Sequence, residues 1–381
     1  MRVIVAPDSY KGSLSALEVA NSITRGILKV FPEAEVLKVP IADGGEGTVE
    51  ALVTATGGEM LFTEVSGPLN EPVEACWGIL GDGETAVIEM AAASGLTLIP
   101  KDRRNPLITT TYGTGELIKA ALDKGLRKLI IGIGGSATND GGAGVAQALG
   151  VKLLDSEGNE LPPGGAALIN LTAIDLSGLD RRLQESTIMV ACDVDNPLCG
   201  ERGASAVFGP QKGASQEMVA ELDAALQNYQ MIACKATGRN IAELPGAGAA
   251  GGLGAGLMFF TLAKLRPGVD IVIEATGLRD MVAKADLVIT GEGCTDFQTA
   301  FGKAPVGVAK LANQLAVPVV CLSGSLGQGH QDVLNFGIDA LMNIIPYPVC
   351  LEECMANVDV FTEEAAIRMG MLLKVGMRIK A

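Results

Sequence analysis

The stretch MRVIVAPDSYKGSLSALEVANSITRGILKVFPEAEVLKVPIADGGEGTVEALVTA, residues 1–55, decides the fold. Residues 1–7 form a short β-branched run that ends in a polar loop, the mark of a buried parallel strand. Ser15 then opens a helix, with Glu18 three residues on as the second half of a capping box. Val19, Ile23, Ile27 and Val30 recur at helical spacing and supply its apolar stripe. Phe31-Pro32-Glu33 closes the helix, 35–40 reads as a second strand, and a helix over about 48–55 follows the loop at 42–47. Strand, helix, strand, helix in that order predicts an open parallel sheet.

The texture changes after residue 60. Short alternating runs over 60–89, broken by Gly, Pro, Asn and Asp, read as antiparallel strands and hairpins. A helix is expected over 113–124, with further strands at 128–133 and 188–192. Toward the C-terminus the parallel pattern resumes, with strands at 286–290, 318–323 and 340–345 and a helix around 306–314. At 381 residues the chain exceeds what one core usually organises. The simplest architecture is α/β: a doubly wound, Rossmann-like parallel-sheet domain built from both chain ends, 1–60 and 270–381. A second, mixed α/β domain over 61–269 is inserted between them.

A net charge of −15 argues against nucleic-acid or anionic-membrane partners, which require Lys/Arg patches. An acidic enzyme that binds anions needs locally placed lysines, amide nests or metal ions. Eight scattered cysteines without a CxxC pair read as reduced thiols rather than a disulfide or zinc framework. The N-terminus shows no signal-peptide pattern and no apolar run is of bilayer length, so the cytoplasm is the expected location.

One after another, the apolar strands end in loops that combine Gly with Asp, Glu, Ser or Lys, and such loops could converge on one cleft. After the first strand come Asp8, Ser9 and Lys11: Asp8 could position a hydroxyl or metal, Lys11 a carboxylate or phosphate. After the second, Asp43-Gly44-Gly45-Glu46-Gly47 interleaves acids with three glycines, which suits substrate or metal positioning. Residues 134–142, with Gly134, Gly135, Ser136, Thr138, Asn139 and Asp140, read as a phosphate or carboxylate nest at a helix N-terminus. Asp193 and Asp195, two apart in extended chain, would point the same way and suit Mg²⁺ or a general base beside its orienter. Gln211 and Lys212 lie in a constrained turn. Glu292, Asp296, Gln298 and Lys303 put acid, amide and lysine in one loop and helix start, without forming a Walker A loop. Gly246-Ala-Gly248-Ala-Ala-Gly251 satisfies GxGxxG, but no clear strand precedes it, so close helix packing or a flexible phosphate-facing segment is the better reading. His330 is the only histidine, and no GxSxG elbow accompanies it.

Taken together these loops resemble type I glycerate kinases. The resemblance is carried by DSYKGSLSA (8–16), VPIADGGEGT (39–48), EMAAASGL (89–96), GTGELI (113–118), IGIGGSATNDGGAG (131–144), ACDVDNPL (191–198), FGPQKGA (208–214) and GAGAAGGLG (246–254). It runs essentially end to end. It implies ATP-dependent, Mg²⁺-assisted phosphorylation of D-glycerate in a two-domain fold. The cleft residues it implies are Asp8, Ser9, Lys11, Asp43, Glu46, Asn139, Asp193, Asp195, Gln211, Lys212, Glu292, Asp296, Gln298 and Lys303. One departure is Cys294, where the family usually carries Arg, followed by Phe297 where a small Ser is common.

The expected mechanism is in-line phosphoryl transfer, dominated by positioning and charge neutralisation. Mg²⁺ would be held by some of Asp193, Asp195, Glu292 and Asp296. Asp193 or Asp195, ahead of Asp8, would accept the hydroxyl proton, and Lys11, Lys212 and Lys303 would neutralise phosphate or carboxylate. Two alternatives remain open: a nicotinamide-dependent hydroxy-acid oxidoreductase, prompted by GxGxxG, and a carboxylate-binding module without turnover, prompted by Cys294. The oligomeric state, including a homo-oligomer, is open as well.

Overall fold

The computed structural model describes residues 1–379, so the last two residues of the predicted 270–381 segment lie outside it. In chain order its principal strands are β1 (Arg2–Pro7), β2 (Glu35–Lys38), β3 (Glu59–Ser66), β4 (Pro72–Ile79), β5 (Thr85–Glu89) and β6 (Lys128–Gly132). They continue with β7 (Thr187–Ala191), β8 (Lys264–Arg266), β9 (Leu287–Gly291), β10 (Val319–Ser323) and β11 (Ala340–Asn343). The helices used below are α1 (Ala16–Val30), α2 (Tyr112–Asp123), α3 (Ala143–Ala148), α4 (Ala249–Phe260), α5 (Ala304–Gln314), α6 (Leu351–Ala356) and α7 (Val358–Gly376). The chain divides into two compact units. Unit one takes Met1–Asp43, Glu50–Gly57 and the chain from Val269 onward; unit two takes Gly44–Val49 and Gly58–Gly268.

Unit one is organised by a five-stranded sheet of order β11-β10-β9-β1-β2 in which every neighbouring pair is parallel. Its interior strand β1 is apolar on both faces because helices cover both, and Val3, Ile4, Val5 and Ala6 are fully buried. α1 begins at the predicted capping box: Glu18 N–H donates to Ser15 Oγ (3.4 Å), and Ser15 N–H donates back to Glu18 Oε2 (2.9 Å). Val19, Ile23 and Ile27 pack into a core that also takes Phe361, Ala365 and Met369 from α7. The two helices approach so closely that a Cβ on Gly26 would lie 2.5 Å from the Glu363 carbonyl oxygen. Arg25 bridges Asp359 and Glu363 at 2.6 Å each across that contact. Exposed pairs of this kind contribute at most ~1 kcal/mol, so the apolar contact carries the packing.

Unit two holds a six-stranded mixed sheet of order β8-β7-β6-β5-β4-β3. β3, β4 and β5 form the antiparallel meander expected for 60–89. β5 then continues in parallel with β6, β6 with β7 and β7 with β8, a run of parallel pairing that hairpin signals cannot announce. Trp77 on β4 is buried, and its indole N–H donates to Thr63 Oγ1 (2.9 Å). The glycine-rich 246–256 segment is a packing device. Within α4 the backbone turns left-handed at Ala250, Gly251 and Gly252, and a Cβ on Gly251 would lie 2.0 Å from the Thr138 carbonyl oxygen. No strand runs into Gly246, which disfavours a dinucleotide fingerprint. Among the described residues, no helix is long and apolar enough to cross a membrane.

Candidate active site

In unit one the sheet delivers its chemistry at the carboxyl ends of β1 and β9. The Asp8 N–H donates to the Gly291 carbonyl (2.8 Å), which ties the two loops together where the strands end. Asp8 is buried, and one of its carboxylate oxygens accepts from the Ser9 N–H at 2.6 Å. Burial pushes the Asp8 carboxyl up to about 7, repulsion from Asp43 adds to that, and the Ser9 amide and Lys11 oppose it. Glu292 is likewise buried and held above the ordinary carboxylate range, mainly by burial. Its Oε1 accepts from Thr299 Oγ1 (2.6 Å) and Thr295 Oγ1 (3.3 Å), and Thr295 is linked in turn to Ser323 Oγ on β10 (2.7 Å). Tyr10 pins the first loop from below by donating its hydroxyl to the Leu322 carbonyl (2.8 Å).

These loops border a cavity of about 580 Å³. Asp8, Ser9, Lys11, Glu292, Asp296 and Lys303 all line it, so six of the predicted residues meet in one place. Cys294 lines it as well and is exposed. Gln298 is exposed but does not line the cavity, and its N–H caps Asp296 Oδ1 (2.8 Å). The supporting hydroxyls of Thr295, Thr299 and Ser323 were not singled out from sequence, and neither was the apolar far side of the cavity. The loop after the last strand, with Pro-Tyr-Pro and exposed Leu351, was the one signal available for that side.

In unit two, glycines make the approach of loops feasible. A Cβ on Gly44, whose φ is +91°, would lie 2.5 Å from the Ala191 Cβ, and one on Gly134 would lie 2.8 Å from the Gly45 Cα. The Gly134 N–H donates to the Gly44 carbonyl (3.2 Å), so the segment from Gly44 is seated against the ends of β6 and β7. Glu46 remains exposed.

The 134–142 loop differs from the open nest that its composition predicts. The chain supplies its own anion: Asp140, fully buried, accepts from the N–H groups of Thr111 (2.8 Å), Gly142 (3.1 Å) and Gly144 (3.2 Å) and from Thr111 Oγ1 (2.9 Å). The amides at the start of α3 therefore serve an internal carboxylate. Lys212, expected at a phosphate, is 1% exposed and donates to Ser136 Oγ (2.7 Å) and the Thr138 carbonyl (2.6 Å). Burial brings its ammonium down to about 7, with the Asp140 charge opposing. Asn139 donates to Ser205 Oγ (2.8 Å) and is fully buried. Ser136, Asn139, Asp140 and Lys212 are thus all buried with internal partners, while Gln211 and Gly135 stay exposed beside them.

Asp193 and Asp195 are both exposed. Asp193 Oδ1 accepts from the Gly268 N–H (3.0 Å), whereas both oxygens of Asp195 accept from Arg202 Nη2 (3.1 and 3.2 Å).

With that geometry in hand, a family model described as the glycerate kinase family matches residues 3–374. The chain belongs to the glycerate kinase family. As a member it is a kinase, a transferase. It is 56% identical over 366 residues, 96% of each chain, to the glycerate kinase of Bacillus subtilis (strain 168). It is 51% identical over 378 residues, 99% of each chain, to the glycerate 2-kinase of Escherichia coli (strain K12). A crystal structure of a protein designated glycerate kinase 2 from Salmonella typhimurium LT2 superposes with a TM-score of 0.91 at 51% identity, covering all of both chains. The α/β architecture with parallel sheets is the one that this kinase family shares with that structure.

Proposed function

We propose that this kinase transfers the γ-phosphoryl group of ATP, with Mg²⁺, to a hydroxyl of D-glycerate. The name of the Escherichia coli relative supports the 2-hydroxyl. The observation that carries the proposal is the meeting of two buried carboxylates, Asp8 and Glu292, with Lys11 and Lys303 around one cavity of a glycerate kinase family member.

The donor set fits Mg²⁺. Among the described residues no group of three or more His, Cys, Asp or Glu is arranged to hold a metal. Mg²⁺ requires less, because it keeps waters and is usually bound through one or two carboxylates plus substrate phosphates. Asp8 and Glu292 are destabilised as anions by burial, and Asp43 and Asp296 add repulsion, which a divalent cation relieves. Glu292 and Asp296, joined by Asp8, are the proposed ligands in unit one. When bound, the ion supplies neutralisation of triphosphate charge. Lys11 and Lys303 hold phosphate oxygens as point charges, with the Ser9 hydroxyl beside them.

Asp193 or Asp195, ahead of Asp8, is the proposed acceptor of the glycerate hydroxyl proton. Asp43, Gly44, Gly45 and Glu46 position substrate. The cytoplasm, where ATP is supplied, is the proposed location. The test is direct: incubate the protein with ATP, Mg²⁺ and D-glycerate, and identify the phosphoglycerate isomer. Asp193→Asn should depress turnover by about a hundredfold or more at unchanged stability. ADP formation at the wild-type rate would remove Asp193 from the mechanism.

A further inference from the structure

The unit-one cavity has two unlike halves. One is polar, and the roles above use its charged groups. The other is lined by Ile344, Ile345, Val349, Leu351, Met355 and Val358, and a three-carbon hydroxy acid has no use for it. Ile344 and Val358 are buried at its floor. Leu351 and Met355 stand at the rim, 69% and 41% exposed. Exposed apolar side chains gathered around a concavity, next to convergent polar groups, are the signature of a small-molecule site. At about 580 Å³ the cavity falls in the range of pockets that enclose ligands far larger than glycerate.

The wall is also held in place. It comes from the segment that follows β11 and from α6 and α7. Tyr347 packs edge-on against Phe361 of α7, with ring centroids 5.9 Å apart, and so anchors the loop from outside the cavity. On the opposite side Gly12 comes within ordinary contact of Met355, since a Cβ there would lie 3.6 Å from Met355 Cε. A slot with an aliphatic floor, a thioether at its edge and lysines beyond its polar end matches a flat heterocycle that carries a polyanionic tail. Thioether sulfur makes favourable contact with aromatic rings, and aliphatic side chains cover their faces.

We propose that this apolar half holds the purine base and ribose of the nucleoside triphosphate, with the phosphates extending to Lys11 and Lys303. The inference rests on the ATP-dependent reading above and assigns the nucleoside end of it, which none of the motif loops contains. The side chains of the apolar wall offer few directional polar groups. Purines are therefore favoured over pyrimidines by size, and discrimination between adenine and guanine by these side chains is weak.

Cys350 and Cys354 line this half and Cys294 the polar half, which provides an internal readout. Alkylate the protein with iodoacetamide and follow each thiol by peptide mass spectrometry, with ATP, adenosine, tripolyphosphate or D-glycerate present. Expected is slowing of Cys350 labelling by ATP and adenosine, with tripolyphosphate protecting Cys294 only. Met355→Glu, at a half-exposed rim position, should raise the KM for ATP about tenfold or more and move that for D-glycerate less than about threefold. The unchanged glycerate KM also reports that the variant is folded. If the protein makes phosphoglycerate while adenosine leaves Cys350 labelling unchanged and Met355→Glu leaves the ATP KM in place, the base slot is wrong and the kinase reading stands. If adenosine protects Cys350 but no phosphoglycerate forms, the slot stands and the kinase reading fails. Protection of Cys350 by D-glycerate alone overturns the assignment in favour of the hydroxy acid.

Discussion

Replacing Lys212 with Met, which keeps most of the length of the side chain and removes its titratable amine, tests whether a buried lysine braces unit two. The lysine is 1% exposed, and burial lowers it from 10.5 to about 7. A group depressed on folding contributes stability that is complete above its unfolded value and is lost as pH falls through its folded value. Here the window runs from 10.5 down to about 7. The span is 3.5 pK units, on the order of 5 kcal/mol at ~1.36 kcal/mol per unit. Near pH 7 the folded group is half-protonated, so the slope starts at about half its full value, and the gain from pH 7 to 9 is about 2 kcal/mol. Trp77 is the only tryptophan and lies buried in the same unit as Lys212, so its fluorescence in guanidinium titrations reports the relevant transition. Taking wild type minus variant cancels the other titrating groups. Between pH 7 and 9 that difference should move by about 2 kcal/mol in favour of wild type. Parallel pH profiles for the two proteins would show that Lys212 keeps its proton in the folded state, and the account of a buried, charge-strained brace would fail.

Asp8→Asn removes a carboxyl that burial raises from 3.8 to about 7. Such a group destabilises the fold increasingly as pH rises from its unfolded value through its folded one, so the stability advantage of the variant should grow by about 3 kcal/mol from pH 5 to 8 while ADP formation falls. Denaturant titration and a coupled assay on the same samples check both. Gly251→Ala places a Cβ 2.0 Å from the Thr138 carbonyl at a φ of +69° and should cost about 2 kcal/mol or more by Trp77 unfolding. Ser15→Ala should cost about 1 kcal/mol by circular dichroism, and adding Glu18→Ala should cost less than its single effect, because the two caps are reciprocal.

Much of the framework was legible because it is local. Ser15 and Glu18 lie within one turn, the apolar stripe of α1 has its own period, and each polar loop directly follows its strand. The polar half of the unit-one cavity was readable for the same reason, since β1 and β9 each carry their acids just past their last residues. The internal carboxylate of the 134–142 loop was not legible for a physical reason. Asp140 takes the Gly142 amide of the loop and further partners from Gly144 and from Thr111, 29 residues away, and no local pattern marks that last meeting. Lys212 reaches Ser136 across 76 residues, and a lysine in a glycine turn looks the same whether it points to solvent or into a core. The apolar wall at 344–358 escaped notice because its residues resemble any amphipathic terminal segment until the fold shows which of them stay uncovered.

The pairing of β1 with β9 joins Val3 to Leu287. A ribosome adding ~5–20 residues per second therefore emits the apolar strand RVIVAP roughly 15–60 s before its permanent neighbour exists. The contiguous 58–268 segment can complete its own sheet in that interval. The N-terminal strand can meanwhile pair only with β2, which leaves its other edge open. An open parallel edge of Val and Ile is a template for pairing with other chains. During its synthesis the protein is therefore a natural client for factors that shield nascent strands.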